Sequence, residues 1–199
     1  MGNACENLED IINMLKSNGR IIVNRIFKRP KKVDVRIKFP FGSISGTWEV
    51  DENQSKAAWE LYVELITRIS IQKLGPDQGL LREALTSLYN LFGETRKILR
   101  NYGPAIGKPL GVGKLSCGEI ALQVLNSGLR PVLAKWHPLL ADYENTKPDD
   151  VSQTAHEKAW GKNKALREEL VVLQASMRQY ADTLAEAAGT PGLKADGDT

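Results

Sequence analysis

LREELVVLQASMRQYADTL, residues 166–184, places Leu166, Leu170, Leu173, Met177, Tyr180 and Leu184 at alternating steps of four and three. That spacing lines up one narrow apolar seam on an α-helix, the kind that packs against another helix. Thr154 and Glu157 form a capping box upstream, so the spacing predicts one long helix from Thr154 to about Ala188. Such a seam packs either within a bundle or across an oligomer interface, and we expect Leu166, Leu170, Leu173, Met177 and Leu184 to form an interface through which the chain associates with itself. Beyond the helix, residues 189–199 are rich in Gly, Pro and Asp with only Leu193 as an apolar anchor, which predicts a disordered tail.

The same periodicity recurs toward the N-terminus. Asp51 is an N-cap for a helix to about Lys73 with Ala58, Leu61, Leu65 and Ile69 on one stripe, closed by Gly75 and Pro76. A second helix follows from about Asp77 to Tyr102, with Leu81, Leu85, Leu88, Phe92 and Leu99 inward. The Gly- and Pro-rich residues 103–115 read as a loop. Ser116 and Glu119 form a capping box for a helix through Leu125 that Gly128 and Pro131 interrupt, and Pro131 opens a further helix through Tyr143. Val33, Val35, Ile37 and Phe39 alternate with Asp34, Arg36 and Lys38, the period-two signature of a half-buried strand. A turn at Pro40 to Gly42 returns the chain as a hairpin. Leu8, Ile11, Ile12 and Leu15 mark a short amphipathic helix over residues 6–17. The fold class expected is mainly α: a four- or five-helix bundle with an N-terminal amphipathic helix and a small β-hairpin. Residues 1–32 form the N-terminal helix and basic segment, 33–188 the hairpin and bundle.

The chain has 199 residues, 42% of them hydrophobic and 26% charged, which fits one globular domain and excludes a fibrous or generally disordered class. Cys5 and Cys117 stand alone, without CxxC spacing or a nearby histidine, so neither a disulfide framework nor a metal site is expected. No cofactor motif is present. No run approaches the roughly 18 apolar residues of a membrane span. Acidic Glu6, Glu9 and Asp10 argue against a secretory signal, and the expected location is cytoplasmic.

Charge is distributed unevenly. From Arg20 to Lys38 eight basic residues stand against the single acid Asp34, a local charge of +7, while the whole chain is +3 and the remainder therefore −4. Arg25, Lys28, Arg29, Lys31, Lys32, Arg36 and Lys38 are the anion-binding candidates. Their partner is a nucleic acid, an acidic protein face, an anionic small ligand or a membrane surface, and the last draws on the amphipathic 6–17 helix beside them.

Two motifs bear on chemistry. Gly111, Val112, Gly113, Lys114 and Leu115 suggest a phosphate cradle, but Leu115 occupies the place of the required hydroxyl and no core strand is expected before the loop. Arg130 and His137 are seven residues apart, close to two helical turns, so one face presents both. An arginine to hold a phosphate and a histidine for acid–base work would suit RNA cleavage. This spacing resembles the motif of the HEPN ribonucleases, helical proteins whose site forms where two bundles meet. The resemblance implies that Arg130 and His137 are catalytic, although Pro131 stands where that family has a polar residue.

Trp59, Tyr62, Glu64 and Arg68, then Leu81, Arg82, Ala84, Ser87, Leu88 and Tyr89, then the run from Leu125 to Pro138 resemble bacterial helical-bundle proteins of defence-type gene neighbourhoods. That resemblance, over about residues 33–188, implies a bacterial cytosolic protein and carries no activity. The resulting expectation is a non-enzymatic adaptor or ligand-sensing subunit that self-associates through its helical seam and binds an anionic partner through the basic segment. A HEPN-like ribonuclease and a peripheral membrane effector are the alternatives.

Overall fold

The computed structural model describes residues 32–68 and 78–192. The expected helix over 6–17, the candidates Arg25, Lys28, Arg29 and Lys31, and the tail after residue 192 lie outside the described residues.

Strand β1 (Lys32–Phe39) and strand β2 (Gly42–Glu49) form the antiparallel hairpin that the alternation predicts. Val33, Val35, Ile37 and Phe39 are buried, while Lys32, Asp34, Arg36 and Lys38 face outward. Val33 pairs with Trp48 and Ile37 with Ile44, so the inner face is a two-strand apolar surface. A third, two-residue strand, β3 (Lys114–Leu115), pairs in parallel with Thr47 and Trp48. This strand falls in the expected loop over residues 103–115, because two residues are too few for any periodicity to register.

Helix α1 (Glu52–Ile66) starts at Asp51, whose Oδ1 accepts from the Gln54 N–H at 2.8 Å. It ends at Ile66 rather than near Lys73: the Thr67 N–H bonds back to the Val63 and Leu65 carbonyls and closes the last turn. Helix α2 (Leu81–Tyr102) has no side-chain cap of its own. The buried carboxylate of Glu157 instead accepts from the Leu81 N–H at 2.9 and 3.0 Å, placing a negative charge at the positive end of the helix.

The expected break at Gly128 and Pro131 is absorbed into one continuous path. Helix α3 (Cys117–Gln123) runs through a π-helical turn (Val124–Leu129) into helix α4 (Arg130–Glu144), and the Arg130 N–H reaches back five residues to the Leu125 carbonyl. The widened turn accommodates a proline that has no N–H to give. Gly128 is also a point of close approach. A Cβ there would lie 2.5 Å from the Phe39 ring, so this turn packs directly against the end of β1.

The long helix predicted from Thr154 is two helices. Ser152, not Thr154, caps the short α5 (Gln153–Ala159), and extended backbone at Trp160 (ψ 120°) with Gly161 separates it from α6 (Asn163–Ala188). Helix α6 closes at Gly189 in the left-handed conformation, φ 71°, that glycine adopts without strain.

The seam of α6 is buried within the chain. Leu166, Leu170, Leu173, Met177 and Leu184 are 0–4% exposed, packed in one core with β1 and α1. These five side chains therefore cannot serve as the expected surface for a second copy; α1 and the apolar face of β1 cover the seam. Helix α6 also guards the outer edge of β1, where Gln179 Oε1 accepts from the Lys38 backbone N–H at 3.0 Å. The architecture is mainly helical around a small three-stranded sheet whose inner face belongs to the core. Among the described residues no helix is long and apolar enough to cross a membrane.

Candidate functional site

Tyr89, Phe92 and Arg96 recur at helical steps on α2 and form one wall of a groove of about 800 Å³. The opposite wall descends from Leu122 on α3 through Leu125 and Asn126 in the π turn to Arg130, Leu133, Ala134, His137 and Pro138 on α4. Both members of the predicted catalytic pair thus line one groove. Two arginines and no carboxylate face it, and most of the remaining lining is apolar.

Arg130 is held by its own segment. Its Nε and Nη2 donate to Asn126 Oδ1 at 3.2 and 2.8 Å, and its guanidinium carbon stands 5.6 Å from the centroid of the Phe92 ring. A cation over an aromatic face gains electrostatic attraction and loses little mobility on binding a second group. Arg96 is tied by Nε to the Phe92 carbonyl at 3.0 Å, so Phe92 meets one guanidinium at its ring and the other at its backbone.

His137 has a different environment. Arg82 Nη1 donates to its Nδ1 at 3.0 Å, while the same arginine chelates Glu144 through Nε (3.0 and 3.1 Å) and Nη2 (2.6 Å). Arginine can only donate, so Nδ1 is the bare nitrogen and the neutral ring carries its proton on Nε2. Nε2 is sealed from solvent and makes no hydrogen bond of good geometry. Tyr89 packs against the ring at 5.8 Å in an edge arrangement. Burial, followed by the Arg82 charge, holds the His137 pKa below the ordinary value, and the Leu85 carbonyl and Glu144 oppose this only in part. The imidazole is neutral near pH 7 with neither nitrogen presented to the groove.

The other candidates fall elsewhere. Lys32 lies on the outer sheet face at 3.6 Å from Glu49, which Lys114 also approaches at 3.8 Å. Arg36 and Lys38 stand on the same face near the hairpin turn. Three N–H groups at the start of α3 are already taken: that of Ser116 by Glu119, that of Cys117 by Gln54 and that of Glu119 by Ser116. Burial pushes the Cys117 thiol up to about 12, which leaves it inert as a nucleophile. His156 is buried and stacked on Tyr143 at 4.1 Å, with reciprocal bonds between each side chain and the other's carbonyl. Among the described residues no cluster of three or more His, Cys, Asp or Glu has the arrangement of a metal site.

Sequence reading missed Arg82, Arg96 and the position of Phe92 at the groove wall. Arg82 is 55 residues from His137 in the chain, so no local pattern joins them. Tyr89 and Phe92 did carry a signal: aromatic residues three apart beside Arg96 on a helix whose inward stripe is otherwise leucine. Comparison with protein-family models, curated proteins and solved structures finds no match.

Proposed function

We propose that this chain is a non-enzymatic ligand-binding subunit whose groove between α2 and α4 receives a small amphipathic anion, an organic carboxylate or phosphate with an aromatic or acyl body. The observation that carries the reading is a groove with two fixed guanidiniums and no carboxylate over an apolar floor. Its volume falls within the ~300–1,000 Å³ of small-molecule sites. Arg130 and Arg96 would take the anion, Phe92 and Tyr89 the flat or apolar body, and Leu125 and Leu133 the floor. Such a site needs neither proton transfer nor a nucleophile.

1-Anilinonaphthalene-8-sulfonate, an aromatic sulfonate, is a suitable probe. Native protein should enhance its fluorescence, phenyl phosphate should displace it where phenol does not, and the Arg96→Gln/Arg130→Gln pair should weaken it about tenfold or more. Equal affinity in that double variant would overturn the reading.

The ribonuclease reading draws on one observation, that Arg130 and His137 share the groove. Cleavage of a mixed panel of labelled RNAs by wild type, lost in a His137→Ala variant of unchanged melting temperature, would establish it over ours. The closed Nε2 and the Arg82 bond to Nδ1 lead us to expect no cleavage by either protein.

A further inference from the structure

The outer sheet face is divided along its length. At the open end Glu49 is approached by Lys32 and Lys114, and Asp34 Oδ1 accepts from the Thr47 hydroxyl at 3.5 Å. Both of the face's carboxylates lie toward that end. At the turn end Arg36 lies directly across from Ser45 and Lys38 across from Ser43, all four exposed. Neither Arg36 nor Lys38 has a carboxylate partner among the described residues. Phe41, at the turn beyond them, is 57% exposed, which leaves its ring open to a stacking partner.

From this division we infer that the turn end of the sheet binds the sugar–phosphate backbone of single-stranded nucleic acid, with Arg36 and Lys38 on successive phosphates and Phe41 under a base. Residues two apart on a strand stand about 7 Å apart on one face, a spacing comparable to that of neighbouring phosphates on an extended strand. Ser43 and Ser45 place hydroxyl donors beside the two cations, which suits non-bridging phosphate oxygens better than a carboxylate-bearing protein face. Charge complementarity extends along the sequence: Arg20, Arg25, Lys28, Arg29 and Lys31 precede β1 directly. Among the described residues the cations on this face are accompanied by one exposed aromatic ring at the turn, the pairing of charge and stacking that suits a single strand. This surface is separate from the groove, and neither proposal rests on the other.

The test is fluorescence anisotropy of a labelled oligouridylate of about 12 nucleotides, inside the ~4–16 nucleotide range of single-strand sites, against the full chain. Wild type should bind with strong salt dependence. Arg36→Glu/Lys38→Glu should weaken binding more than about tenfold and lower the slope of log affinity against log salt by about 1.4, from two lost contacts at ~0.7 each. Phe41→Ala should weaken it about fivefold or more at unchanged slope. Should the charge-reversed pair fold poorly, Arg36→Gln/Lys38→Gln gives the same reading in smaller measure. No binding by wild type overturns the inference, as does binding that survives the substitutions and so belongs to residues 1–31. Uptake by phosphatidylserine vesicles in place of the oligonucleotide, with the same sensitivity to Arg36 and Lys38, overturns it too.

Discussion

Gln54 has no solvent exposure, and its side chain ties three elements together: Oε1 accepts from Trp48 Nε1 on β2 and from the Cys117 N–H at 3.0 Å on α3, and Nε2 donates to the Glu49 carbonyl at 3.2 Å. Gln54→Leu conserves volume but leaves two buried donors unpaired. At ~1–3 kcal/mol for each, it should lower unfolding stability by about 2–6 kcal/mol in a urea titration. His137 makes a pH-dependent contribution whose sign follows from its lowered pKa. As pH falls, the unfolded chain takes up the proton first, so the contribution is complete above the ordinary value of 6.5 and is lost as pH falls through the folded value. Wild-type melting temperature should therefore drop more steeply below pH 6.5 than that of His137→Gln, whose amide accepts from Arg82 without titrating. At this scale the sequence was informative in one direction. It placed Arg130 and His137 on one face, but Arg82, which bonds the His137 Nδ1, comes from another helix.

Element boundaries depend on groups that lie far away in the chain. The hairpin was legible because β1 carries its own alternation and a Pro40 to Gly42 turn follows it directly. The division between α5 and α6 was hidden, since Thr154 and Glu157 make an acceptable capping box while Glu157 is in fact engaged at the start of α2. The π turn was hidden because Gly128 and Pro131 read as breakers, whereas the Phe39 ring and the Leu125 carbonyl supply the compensating contacts. Gly128→Ala tests this turn. Alanine gains about 1 kcal/mol in helix propensity over glycine, but its methyl would meet the edge of an aromatic ring at 2.5–2.6 Å. Overpacking of that sort costs about 1–3 kcal/mol, so the clash should prevail and chemical denaturation should show a net loss. Adding Phe39→Leu should return part of it, a coupling readable in a double-mutant cycle.

For the molecule as a whole, the seam of α6 belongs to the folding of one chain. Leu173 is 1% exposed, so Leu173→Ala should cost about 2–5 kcal/mol, with no change in the sedimentation coefficient of the protein that remains folded. A seam shared between copies would give the opposite pattern, a smaller particle at nearly the same stability. The bond from Lys38 to Gln179 has a further consequence, for colloidal behaviour. VDVRIKF, residues 33–39, is an edge strand with a β-branched, apolar inner face, and an uncovered edge of this kind can pair with identical strands. Gln179 occupies one of its backbone donors, and the lateral cations Arg36 and Lys38 repel a like neighbour. Gln179→Ala should therefore shorten the lag before thioflavin-positive aggregates form on prolonged incubation, and low salt should lengthen it again.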